Sequence, residues 1–190
     1  MNKKIIIITG YLASGKSTFA RLLSKEIKVP CFVKDTFKIA LCKNVSISTT
    51  EDSSLFSAIT FDSMMYVIER FMETDLPVII EGNFVPTGIK KEDEANEIKS
   101  LIDKYGVQSL TFKFIGNTQV LHKRYIERDK QPERGHVNAM YSDVKYEDFN
   151  QYCHNLDAFD IGGDTITIDT TDFNKIDYMS YIKIAKKFIR

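Results

Sequence analysis

Between positions 9 and 23 the chain reads TGYLASGKSTFARLL, and those residue types describe one piece of chemistry. Gly10 and Gly15 bracket four residues and are followed by Lys16 and Ser17, giving the spacing G-x-x-x-x-G-K-[ST]. Glycine at both ends lets a turn curl with its backbone N–H groups facing inward, a nest for phosphate oxygens. A helix starting near Lys16 adds the positive end of its dipole. Lys16 then reaches the β- and γ-phosphates of a nucleoside triphosphate, and the Ser17 hydroxyl ligates Mg²⁺. The expected nucleotide contacts of this turn are Gly10, Leu12, Ala13, Ser14, Gly15, Lys16, Ser17 and Thr18.

Three further stretches carry candidates. In VPCFVKDTFKIAL, Asp35 stands at the C-terminal edge of a second strand, where ligands of open α/β sheets lie. It can take the proton of an acceptor hydroxyl that attacks a γ-phosphate, and it can equally N-cap the helix expected from Thr36. In LPVIIEGNF an apolar run ends in Glu81, Gly82 and Asn83. Burying a lone carboxylate is costly, so a cation, Mg²⁺, is expected near Glu81; an acid that simply closes the strand is the plainer reading. In NTQVLHKRYIERDKQPERGHVN, Arg124 and Arg128 lie four apart on one helix face, and Arg134 follows a break at Pro132. An arginine-bearing lid at about 129–140 would bring positive charge onto a transferring phosphoryl group; a solvated basic helix is the alternative. His136 falls in that lid, His122 and His154 read as helix-surface residues, and Cys153 as a packed thiol.

The elements needed to position these residues are legible around them. Strands are expected at Lys4–Thr9, Cys31–Lys34, Val78–Glu81, Leu110–Ile115 and Thr165–Asp169, the runs IIII and PVII being continuous, as in strands buried on both faces. Between them come helices at Lys16–Glu26, Leu55–Met72, about 90–106, Val120–Arg128 and Tyr178–Phe188. Strands alternating with helices imply βαβ crossovers, hence an α/β, three-layer fold with a parallel sheet.

At 190 residues, 43% hydrophobic and 27% charged, the chain is expected to form one domain, 1–190. Basic and acidic side chains number 26 each, which argues against nucleic acid or an anionic membrane as partner. The charge is uneven: residues 1–43 hold nine basic and two acidic side chains, residues 44–100 four and eleven. The basic third suits an anionic ligand. Three cysteines without C-x-x-C spacing fit a reducing cytoplasm, and no apolar run is long enough to span a bilayer.

Taken together, these stretches resemble the small P-loop kinases of the shikimate, gluconate and adenylate kinase type, nearest the branch with zeta-toxin-like, chloramphenicol phosphotransferase-like and polynucleotide 5′-kinase domains. GYLASGKSTFARLL is similar to their P-loop, VKDTFK to the acidic motif after strand two, VIIEGNF to strand three, VLHKRYIERDKQPERGH to the lid and TIDTTDF to the last strand and adenine-side loop. The resemblance implies a five-stranded sheet of order 2-3-1-4-5 with helices on both faces, and ATP–Mg²⁺ as phosphoryl donor to a hydroxyl of a small molecule (metabolite, nucleoside or antibiotic). It implies that Asp35 is base or acceptor ligand, that Lys38 and Asn83 help hold the acceptor in the region 36–76 and beyond, and that Arg124 stacks on adenine. It further implies that Arg128 and Arg134 serve the transferring group and that Thr170 and Thr171 border the base. Relatives often have Asp-x-Asn where this chain has Glu81-Gly82-Asn83. A polynucleotide 5′-hydroxyl kinase and a non-catalytic ATP-binding regulator are the alternative functions, and a monomer or homodimer is expected. The letters N-K-x-D at Asn174–Asp177 match a guanine-reading motif, but they follow the last strand by several polar residues with too little chain behind them for a GTPase fold.

Overall fold

Four consecutive isoleucines, Ile5 to Ile8, can be buried together only if the strand carrying them is covered on both faces. The computed structural model, which describes residues 3–45, 47–85, 93–129 and 144–190, meets that requirement. Strand β1 (Lys4–Gly10) leads through the glycine-bounded turn at 10–15 into α1 (Lys16–Ile27) and on to β2 (Cys31–Val33). Helices α2 (Lys34–Leu41) and α3 (Thr50–Glu73) precede β3 (Val78–Glu81), and α4 (Glu94–Tyr105) precedes β4 (Gln108–Ile115). Helices α5 (Thr118–Asp129) and α6 (Tyr146–Asn155), strand β5 (Asp164–Asp169) and helix α7 (Tyr178–Ile189) follow. The strands form one sheet of order β2-β3-β1-β4-β5 in which every pairing is parallel. Fold class and strand order are those expected.

The sheet divides the core in two because successive side chains of a strand point to opposite faces. Ile6 and Ile8 pack with Phe19 and Leu23 of α1 and with Ile182 and Ala185 of α7. Ile5 and Ile7 pack with Met64 and Ile68 of α3 and with Ile98 of α4. All four isoleucines are at most 1% exposed, so each contributes about 1.5–3 kcal/mol of transfer free energy. A third cluster, made by Leu121 and Tyr125 of α5 with Phe149 and Cys153 of α6, closes against Tyr11 in the turn after β1.

Local chemistry sets the helix ends. Thr49 and Asp52 form a capping box on α3, and Asp93 caps α4 through the Ala95 amide. Helix α2 departs from expectation. It begins at Lys34, not Thr36, so Asp35 sits in its first turn and is not an N-cap; Val33 occupies the capping position without a side-chain bond. The Lys34 side chain at the helix's first position is buried, with the ammonium on the Glu94 carboxylate at 2.5 and 2.6 Å. Among the described residues no helix is long and apolar enough to cross a membrane.

Candidate active site

The turn after β1 is shaped by close approach. Gly10 has φ +120°, and a Cβ there would lie 2.0 Å from the Phe114 carbonyl oxygen of β4. The Tyr11 amide donates to that same oxygen at 2.8 Å. Beyond it Ser14 Oγ donates to the Tyr11 carbonyl, and Gly15, at φ 86°, hands the chain to α1. No side chain caps α1 and no acid lies in its first turn, so the first amide donors of the helix are left for an anion. Lys16 is buried with its Nζ donating to the Tyr11 carbonyl at 2.5 Å. Burial holds its pKa below the ordinary lysine value, while the charges of Glu81 and Asp35 oppose that shift.

Glu81 ends β3 beside Ile8, at the mouth of the turn, and is 5% exposed. Ser17 Oγ donates to its carboxylate at 3.0 Å. Burial pushes the Glu81 carboxyl up to about 7, against the pull of Lys16. A hydroxyl and a carboxylate side by side, both hard oxygen donors and the carboxylate short of a cation, suit Mg²⁺ completed by phosphate oxygens and water. The two expected metal-binding residues are therefore adjacent.

A cavity of about 840 Å³ opens in front of this cradle. Ala13 to Thr18 line it on one side, Asp35, Thr36 and Ile39 on another, and Arg124, Arg128, Phe173 and Tyr178 on a third. Asp35 is exposed there and has no hydrogen-bond or ion-pair partner among the described residues. Its charge nonetheless reaches both Lys16 and Glu81. The Arg124 guanidinium lies 3.9 Å over the Phe173 ring and donates to the carbonyls of Thr170 and Thr171 at 2.6 and 2.8 Å.

Other expected residues stand elsewhere. Lys38 is buried, and its ammonium is held by the Ser53 carbonyl and hydroxyl at 2.6 and 2.7 Å, tying α2 to α3 instead of facing the cavity. Asn83 donates to the Tyr152 hydroxyl at 3.3 Å, outside the cavity lining. Leu12 packs with the α5–α6 cluster, and Thr170 is buried, bonding Ile115. His122 is half-buried against Tyr146 and Phe149. Arg134, His136 and the lid beyond Asp129 lie outside the described residues.

Sequence reasoning passed over Arg21, Thr36, Phe173 and Tyr178, all of which line the cavity. Arg21 was within reach, since it follows Ser17 by four residues on α1 and so shares its face. Phe173 and Tyr178 arrive from the far end of the chain with no local signal. The brace behind the turn was also missed: Tyr11 donates to both Asp157 oxygens at 2.9 and 3.0 Å, and His154 meets the same carboxylate at 3.1 Å.

The glycine turn after β1, the acid that ends β3 and the parallel sheet of order β2-β3-β1-β4-β5 make up a fold that solved structures of small kinases share. A candidate kinase from Chloroflexus aurantiacus J-10-fl is 20% identical, with a TM-score of 0.84 over the whole of both chains. The shikimate kinase of Bacteroides thetaiotaomicron is 12% identical over 96% of each chain, with a TM-score of 0.58. A gluconokinase from Sinorhizobium meliloti 1021 is 12% identical, with a TM-score of 0.54 over 98% of this chain and 91% of that one. At such identities the likeness is one of fold. No protein-family model and no curated protein matches the sequence.

Proposed function

We propose that this protein is an ATP-dependent kinase that transfers the γ-phosphoryl group to a hydroxyl of a small molecule. The observation carrying this reading is that Asp35, a carboxylate without a hydrogen-bond or ion-pair partner among the described residues, and the uncapped turn at the start of α1 line one cavity. In this reading the amides of the turn and Lys16 hold the triphosphate, and Ser17 and Glu81 hold Mg²⁺. The metal, when bound, neutralises charge on the β- and γ-phosphates. Arg124 and Phe173 offer a cationic and an aromatic face to the nucleobase.

Asp35 orients the acceptor hydroxyl and takes its proton as the new P–O bond forms and the bond to the bridging oxygen breaks, releasing ADP. Arg128, on the same wall, adds positive charge where the equatorial oxygens develop theirs. Lys16 contributes by moving from the Tyr11 carbonyl to phosphate, exchanging a neutral partner for a charged one.

The test is Asp35→Asn. Phosphoryl transfer, followed as ADP release over a panel of hydroxyl acceptors, should fall at least a hundredfold, in keeping with loss of a general base. Nucleotide affinity, read with a fluorescent ATP analogue, should stay within about twofold because Asp35 does not touch the cradle. Full transfer activity in the variant would remove Asp35 from the chemistry. ATP binding with no acceptor turned over by the unaltered protein would make it a nucleotide-responsive regulator instead.

A further inference from the structure

At the end of the cavity where the loop after β5 meets α5 and Gly15, the backbone atoms that could meet a nucleobase are already engaged. The carbonyls of Thr170 and Thr171 both accept from the Arg124 guanidinium, at 2.6 and 2.8 Å. The Thr170 amide donates to the Ile115 carbonyl and the Thr171 amide to Asp169 Oδ1, at 2.8 and 2.9 Å. In the N-K-x-D letters at Asn174–Asp177 the acid is occupied too. Asp177 caps α7, its carboxylate accepting from the Met179 and Ser180 amides at 3.1 and 3.2 Å and from the Ser180 hydroxyl. What stays open is a ring. Phe173 is 38% exposed and packs over Gly15, where a Cβ would lie 3.1 Å from its Cε1.

A base has no room between Arg124 and Phe173. The guanidinium carbon stands 3.9 Å from the ring centre, one contact distance, and a flat base with a partner on each side needs about twice that. A base at this end therefore lies on the open face of Phe173 and is held by stacking. Stacking tolerates any base, because every base has a π-face. Discrimination comes instead from fixed donors and acceptors aimed at base edges. Among the described residues, the polar side chains left in the lining near this pair are Thr18, Glu127 and Tyr178. The two hydroxyls rotate to donate or accept, and the exposed Glu127 carboxylate finds an N–H on the edge of adenine, guanine, cytosine and uracil alike. None of them tells one base from another. We propose that the donor site is indifferent to the nucleobase and takes GTP, CTP and UTP as readily as ATP. The inference rests on the kinase reading for a triphosphate in the turn; what it adds is the breadth of the donor.

The experiment is isothermal titration of the protein with the Mg²⁺ complexes of ATP, GTP, CTP and UTP. The four dissociation constants should fall within about tenfold of one another, the worth of a single hydrogen bond, and a wider spread overturns the proposal. Phe173→Ala should weaken all four by a common factor of at least about fivefold, the scale of one lost base stack. Inorganic tripolyphosphate, which has no base to stack, should bind wild type and variant alike. A variant with unchanged nucleotide affinity, a loss confined to ATP, or an equal loss of tripolyphosphate overturns the stacking on Phe173. If none of the four nucleotides binds, the kinase reading itself fails. If ATP alone binds, that reading stands and only the indifference of the base site falls.

Discussion

Glu81→Gln isolates the conflict at the centre of the site. In the folded chain the Glu81 carboxyl is pushed from 4.5 up to about 7, first of all by burial. A group that holds its proton more tightly folded than unfolded costs stability as it ionises. The penalty is absent below about pH 4.5, grows as the pH rises toward 7 and is complete above it. Its size corresponds to about 3 kcal/mol of destabilisation at most. Glutamine keeps the shape and the acceptor for the Ser17 hydroxyl but carries no charge. Urea unfolding in EDTA should therefore find the variant more stable than the wild type by roughly 2–3 kcal/mol at about pH 8.5, with melting raised by roughly 5–10 °C, and nearly equal to it at about pH 4.5. Adding Mg²⁺ and ATP should stabilise the wild type and leave the variant behind, since the charge that burdens the empty site is the one that recruits the cation. Equal stability of the two proteins at both pH values would refute the argument that Glu81 is a carboxylate held short of its counter-ion.

Other expectations follow from particular contacts. Glu94→Gln should cost about 3–5 kcal/mol by leaving the buried Lys34 ammonium half-satisfied, and Lys34→Met/Glu94→Leu should recover most of that in chemical denaturation. Gly10→Ala should yield no soluble protein, because its Cβ would lie 2.0 Å from the Phe114 carbonyl oxygen at a φ of +120°; a folded variant by circular dichroism would contradict the close approach of β1 and β4. Burial pushes the Cys31 thiol up to about 12 and raises Cys42 and Cys153 as well. Alkylation of the buried Cys42 and Cys153 at about pH 8 should run on the order of a hundredfold slower than for a free thiol until urea is added, and rapid native labelling of either would show its burial to be wrong.

The turn between β1 and α1 was readable because its geometry is local. Gly10, Gly15, Lys16 and Ser17 act through backbone freedom, a helix start and two side chains within eight residues, and strand and helix periodicity on either side confirmed the setting. Asp35 and Glu81 could be singled out for a similar reason, since each is an acid at the end of an apolar run. Their partners could not. Lys38 is a lysine one turn beyond Asp35, and spacing alone points both at one ligand. In the folded chain the start of α3 offers Ser53 at 2.6 Å, and a buried ammonium takes the nearest oxygens available. Asn83, half-buried, donates to the Tyr152 hydroxyl of α6, a residue 69 positions away that no local spacing points to.

By itself the sequence determined which residues can be buried, which turn can wrap phosphate and that the strands must run parallel, because burial, backbone freedom and helical spacing are properties of neighbouring residues. Tertiary structure alone decided which charges are brought onto which partners. It closed Lys34 onto Glu94, drew Arg124 onto Phe173 and the carbonyls of Thr170 and Thr171, and left Asp35, Arg21 and Lys25 facing open cavities. Pairing of charges depends on distance through space, and that distance exists only once α1, α2, α4 and the loop after β5 have been packed around the same sheet.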